Sequence, residues 1–169
     1  KFISFLPDKL SDSIATKLVN SWLKRFEENP EYHDKVEFEI VPTCLDFKFD
    51  ENFKTVYSDV LSNNELKEYR FLLKNITEKS LDLTSKGTLI KAIKDAEMLL
   101  EYSKDISDYE ISLKQVKVLI DLCKKLGTLN FAIAARHAFI SEAILRSAVE
   151  INILDINKLN KFKQSIQTI

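Results

Sequence analysis

Glycine is nearly missing: Gly87 and Gly127 are the only two in 169 residues and stand far apart. Phosphate-cradling loops need closely spaced glycines, so that backbone N–H groups approach phosphate oxygens without a Cβ in the way. A P-loop, a G-x-G-x-x-G turn and a glycine-rich lid over ATP are therefore excluded. Cysteine is equally scarce. Cys44 and Cys123 form no C-x-x-C, which reads as two reduced thiols acting as small buried apolar residues rather than a disulfide scaffold. Charge of one sign is missing too: 25 basic and 26 acidic residues give a formal charge of −1, with no global field to hold nucleic acid or an anionic membrane. No apolar run approaches the ~20 residues that span a bilayer. The opening Lys1-Phe2-Ile3-Ser4-Phe5 lacks signal-peptide logic, so the expected compartment is the cytoplasm. The start on Lys1 and the single methionine, Met98, point to a piece of a larger protein.

What is present is helical periodicity. At this length the chain is expected to form one domain over residues 1–169, with a core of its own. Leu10, Ile14, Leu18, Trp22 and Phe26 recur every four positions, the stripe of an amphipathic helix that Ser11 or Asp8 caps and Asn29-Pro30 ends. Further helices are expected from Asn52 to about Leu61, from Asn63 or Asn64 through Ile76, from Thr88 to about Tyr102, and from Ser112 to Leu126. Gly127 is expected to close the last of these, just beyond Lys124 and Lys125. The segment from Phe131 to Val149 is apolar over most of its circumference, with Glu142, Arg146 and Glu150 on one solvated ladder, and reads as a central buried helix. A last helix, Asp155 to Gln167, would pack Leu159, Phe162 and Ile166 on the body. One stretch alternates instead: Val36, Phe38 and Ile40 interleave with Glu37 and Glu39, and after Pro42 the pattern resumes at Leu45, Phe47 and Phe49. This predicts a short β-strand pair over about residues 35–49, so the fold class is mainly α, with six to seven helices and one strand pair.

Chemistry-bearing constellations are few. His33 and His137 lack metal-ligand spacing, no serine sits in G-x-S-x-G, and His33 reads as a solvated loop residue. The run Gly127-Thr128-Leu129-Asn130 through Ala135-Arg136-His137 places a hydroxyl and an amide at a helix entrance, with a guanidinium two turns in. Free N–H groups and a bidentate fork suit a carboxylate or a phosphate. Equally, Thr128 serves only as a cap and Arg136 pairs with an internal carboxylate such as Glu39 or Asp46. A second candidate is the acidic strand segment carrying Glu37, Glu39, Thr43 and Asp46, which also fits an ordinary exposed strand face.

The runs His33-Asp34-Lys35-Val36-Glu37-Phe38-Glu39-Ile40-Val41-Pro42-Thr43-Cys44-Leu45-Asp46-Phe47 and Gly127-Thr128 through Ala135-Arg136 to Phe139-Ile140 resemble the central region of phosphoenolpyruvate synthase-like enzymes. Among these the likeness is narrowest to the L-glutamine kinases of capsular phosphoramidate biosynthesis, and it extends from the first helix to about Thr168. The resemblance implies a kinase in which an ATP-grasp domain with ATP and Mg, and a mobile phosphohistidine domain, lie elsewhere in the same chain. This region would hold the acceptor. It would need no cofactor or metal of its own, nor a nucleic-acid or membrane partner. For glutamine, the amide nitrogen would be phosphorylated. Arg136 would hold the α-carboxylate, Glu39 or Asp46 the α-ammonium, with Thr43 beside them; Thr128 and Asn130 would read the amide, and His137 would act as acid or base. The alternative is a helical docking or hinge module that positions the two catalytic domains without touching substrate. A partner-binding helical domain outside this enzyme group is a third reading.

Overall fold

The i,i+4 stripe of the first helix is the start of the core. In the computed structural model, which describes residues 2–106 and 112–166, α1 spans Asp12–Glu28 and buries Ile14, Leu18 and Trp22. The other helices are α2 (Phe49–Tyr57), α3 (Asn63–Ser80), α4 (Thr88–Ile106), α5 (Leu113–Leu122), α6 (Leu129–Glu150) and α7 (Ile156–Ser165). The mainly α class stands. The described residues fall into two compact units, one of residues 1–77 with 139–169 and one of residues 78–138.

The first unit has an aromatic core. Phe49, Phe53 and Tyr57 repeat at i,i+4 along α2 and are buried against Tyr69 and Leu73 of α3. The Phe53 and Tyr57 rings stack at 4.3 Å, and Phe53 lies 5.6 Å from Tyr69. Polar edges of this core are partly satisfied: Trp22 Nε1 donates to the Tyr57 hydroxyl at 2.8 Å, and that hydroxyl donates to the Ile40 carbonyl at 3.4 Å. The Tyr69 hydroxyl is buried without a partner, a cost of roughly 1–3 kcal/mol.

The expected strand pair over 35–49 is absent, and the described residues contain no strand. Val36–Ile40 is instead one turn of π-helix, closed by the Val41 N–H on the Val36 carbonyl at 2.9 Å. The misreading has a physical cause. In a five-residue run, Val36 and Ile40 satisfy the period of a strand and the i,i+4 spacing of a helical turn alike. A strand without a partner leaves its backbone groups unpaired, whereas a helical turn pairs them locally. Both Val36 and Ile40 are buried as a result.

Caps also differ from expectation. Ser62, not Asn63 or Asn64, caps α3: its N–H donates to Glu65 Oε2 at 2.8 Å and its hydroxyl accepts the Glu65 N–H at 3.4 Å, a reciprocal capping box. Ser11 flanks α1 without a side-chain cap bond. Ser112 forms the same box with Gln115 at the start of α5, and the Asp155 carboxylate accepts from the N–H groups of Asn157 and Lys158. Of the three residues expected to dock α7, only Leu159 is buried, while Phe162 and Ile166 are exposed; Gln167 lies outside the described residues.

The second unit corrects the reading of Gly127. There is no helix end there, because Cys123–Thr128 is a π-helical segment that carries α5 into α6 without a break. Gly127 has no positive φ, so it does not serve as a left-handed cap. Its value is space: a Cβ would lie 3.1 Å from Leu99 Cδ2 of α4. Gly87 is tighter, since a Cβ there would sit on the Asp82 carbonyl oxygen. Nor is α6 the buried helix its composition suggests. Among its large apolar residues, Ile140 is buried, while Leu129 and Phe131 are exposed.

Candidate functional site

A concavity of about 390 Å³ lies wholly within the first unit. That is within the ~300–1,000 Å³ of typical small-molecule sites. Its walls come from the π turn and the loop after it (37–44 and 46), from α2, and from the last two turns of α6, and they include Glu39, Thr43 and Asp46. Three of the residues singled out from the sequence are thus brought together. The loop reaches this position because its backbone is tied down by side chains. Leu45 N–H donates to the Thr77 hydroxyl at 2.8 Å, and Phe47 N–H to Ser147 Oγ at 3.3 Å. The Asp46 carboxylate folds back to accept the Lys48 N–H at 3.0 Å.

The lining is charged with both signs. Glu37, Glu51 and Glu150 join Glu39 and Asp46, against Arg25 and Arg146. Burial raises the Asp46 carboxyl above its ordinary range, and the charge of Glu150 adds to this, opposed by the Lys48 N–H. Lys48 lies between Glu51 at 3.8 Å and Glu150 at 3.6 Å. Arg146 extends from α6 so that Nε donates to Glu142 Oε1 at 2.8 Å and Nη1 lies 3.7 Å from Glu39 Oε1. Its guanidinium carbon sits 4.8 Å above the Phe38 ring, a cation–π distance. Sequence reasoning placed Arg146 on a solvated ladder and missed its place on this wall; the i,i+4 relation to Glu142 was legible, the loop that folds against it was not.

Cys44 also lines the concavity, but burial pushes its thiol up to about 12. Burial thus disfavours the thiolate, the form in which a cysteine attacks as a nucleophile. Cys123, expected to be buried as well, is exposed. The Thr43 hydroxyl is buried and takes no hydrogen bond within the geometric limits for one.

The remaining residues singled out, Thr128, Asn130, Arg136 and His137, lie in the second unit. The helix entrance expected at Thr128 does not exist, because the π segment supplies the preceding turn; the free N–H groups that would have faced an anion are absent there. Asn130 is buried, and its amide donates to the Leu126 carbonyl at 2.9 Å and the Lys125 carbonyl at 3.5 Å. His137 Nδ1 lies 2.8 Å from the Ile133 carbonyl, so that nitrogen carries the proton, leaving Nε2 to accept from the Thr88 hydroxyl at 3.1 Å. The ring links α6 to the first residue of α4. His33 is exposed, as expected.

Among the described residues no group of three or more His, Cys, Asp or Glu side chains is arranged to hold a metal ion, and no helix is long and apolar enough to cross a membrane. No family model, curated protein or solved structure matches the chain.

Proposed function

We propose that this chain is the acceptor-binding domain of an ATP-dependent phosphotransferase with a nitrogenous acceptor, L-glutamine being the first candidate, and that the acceptor occupies the concavity of the first unit. The observation that carries this reading is the convergence of Glu39, Thr43 and Asp46 on one concave wall of about 390 Å³ that also holds arginine. An amino acid carries an ammonium and a carboxylate side by side, and a wall with both charges complements it. Asp46 and Glu150 are the ammonium partners, and the half-buried setting of Asp46 makes the contact stronger than at an open surface. Phosphoryl chemistry belongs to the parent enzyme's other domains, with their ATP and Mg. Within this unit the residues hold the acceptor still.

The test is a melt of the chain with and without L-glutamine. A glutamine-dependent rise in Tm that Asp46→Asn removes, while the apo Tm of the variant stays level or rises, is the expected result. Asn keeps the Lys48 N–H bond and removes repulsion from Glu150, so the fold is preserved. If ATP and the parent enzyme phosphorylate no amino acid, and glutamine gives no shift, the reading fails.

A docking module is favoured by one separate observation. The second unit exposes Leu113, Phe131 and Leu83 at 89%, 76% and 70%, apolar side chains that a neighbouring catalytic domain would cover. This reading expects Phe131→Ser and Leu113→Ser to slow turnover in the parent enzyme without changing glutamine affinity.

A further inference from the structure

We infer that Arg146 is the carboxylate anchor of this site, so that the ligand class is an α-amino acid with a free carboxylate and a free amine. The inference rests on the acceptor-binding reading and names the group that would select among acceptors.

An arginine becomes an anchor when its fork is held in place before the ligand arrives, because little side-chain freedom is then left to lose. Arg146 is held on three sides. Glu142 fixes Nε at 2.8 Å, and is itself fixed by Lys163 at 2.8 Å. The Phe38 face supports the guanidinium plane at 4.8 Å, and Phe38 is braced edge-on by Phe139 with centroids 5.4 Å apart. Glu39 lies 3.7 Å from Nη1, an ion-pair distance too long for a hydrogen bond. It orients the guanidinium without occupying its donors. Nη2 has no hydrogen-bond partner among the described residues, and the side chain lines the concavity. Two parallel N–H groups in this position match the two oxygens of a carboxylate.

The neighbouring charges decide what else the ligand must carry. Arg146 and Glu150 are one turn apart on α6, about 5–6 Å between Cβ atoms. Both line the same wall, with Asp46 beside them. Carboxylates outnumber guanidiniums around the concavity, so a ligand that is only an anion meets net repulsion, and one that is only a cation leaves the Arg146 donors unmatched. A zwitterion satisfies both. Arg25 is the other guanidinium of the lining. Its charge acts on the Tyr57 hydroxyl, but no side-chain hydrogen bond or ion pair holds it among the described residues, and its rotamers would have to be ordered on binding.

The experiment is a cycle of two proteins and two ligands by titration calorimetry. L-Glutamine and L-glutaminamide, whose α-carboxylate is a neutral amide, are each titrated into the chain and into Arg146→Gln. The expected result is that wild type prefers glutamine by about tenfold or more, the worth of a charge-assisted hydrogen bond. Arg146→Gln should erase that preference, so that the loss for glutamine greatly exceeds the loss for the amide. Arg146→Lys, which keeps charge but not the fork, should fall between. Arg25→Gln should leave the preference intact. Equal losses for both ligands, or a preference that disappears with Arg25 instead, would overturn the anchor and leave the acceptor reading standing. Absence of binding by either ligand to wild type overturns both.

Discussion

The two units are built on different principles. In the first, twelve buried side chains from Ile14 to Leu73 form one apolar cluster around Trp22 and Tyr69. In the second, Ala92 is the one buried hydrophobic residue among those described, and Asn130 the one buried polar residue. Its helices rest on local devices: the Ser112–Gln115 capping box, the π turn with Asn130 beneath it, and the His137–Thr88 link. Burial scales with apolar area removed from water, whereas caps and single hydrogen bonds contribute about 1 kcal/mol each. The concavity belongs to the unit with the core. A ligand site needs walls that stay in place, and packed aromatic layers hold walls better than solvated helices do.

The comparison is broken most sharply by deleting the core of one unit. Trp22→Ala removes a fully buried indole and leaves the Tyr57 hydroxyl without its donor, and is expected to cost roughly 3–5 kcal/mol. Denaturant unfolding followed by circular dichroism checks it. Leu113→Ala, on the exposed face of α5, should stay within about 0.5 kcal/mol. Equal losses would mean that the second unit is not held as described. A smaller effect falls on the second unit itself: Asn130→Ala removes a buried amide and its hydrogen bond to the Leu126 carbonyl, and should cost about 1 kcal/mol. Hydrogen exchange should then accelerate in α5 and the π turn before it does in α1. Uniform acceleration would refute a local role.

Tyr69→Phe runs the other way. It removes a buried hydroxyl that has no partner while keeping the ring against Phe53, so stability should rise by about 1 kcal/mol. A loss would reveal a hydrogen bond to bound water. The smallest effect is in pH. Glu65 is held at about 2 by Lys17 and by the N–H and hydroxyl of Ser62. A carboxyl lowered from its ordinary 4.5 stabilises the fold above that value, and the contribution is lost as the pH falls from there toward about 2. Glu65→Gln should therefore flatten the acid limb of the Tm profile between these two values and leave the neutral region less changed in slope.

The i,i+4 stripe of α1 was readable, because an amphipathic helix encodes its buried face in its own spacing: Ile14, Leu18 and Trp22 are buried, and Leu10 and Phe26 at its ends are partly so. The capping box of α5 was half legible, since Ser112 stands before the helix and Gln115 three residues on. Val36–Ile40 was not, because five residues carry too few periods to separate a strand from a helical turn. The Gly127 region misled for a different reason. Glycine after two lysines is a good helix stop, and nothing local announces that the chain will absorb it into a π turn so that Leu99 can approach. For the site, Glu39, Thr43 and Asp46 were named from sequence, and their convergence with Arg146 was not.

By itself, then, the sequence determined the mainly helical class, the buried faces of α1 and α3, and the absence of glycine-built phosphate loops; the apolar faces expected on α4 and α5 are largely exposed, as Ile93, Leu100, Leu113 and Ile120 show. Those three are properties of spacing and composition, and they act within a few turns of backbone. Tertiary structure alone decided that the 36–46 segment is a turn and loop, that Arg146 meets Phe38 and Glu39, and that Asp46 sits half-buried near Glu150. Those outcomes join residues about a hundred positions apart, and they depend on which surfaces remain unburied once the local helices have formed.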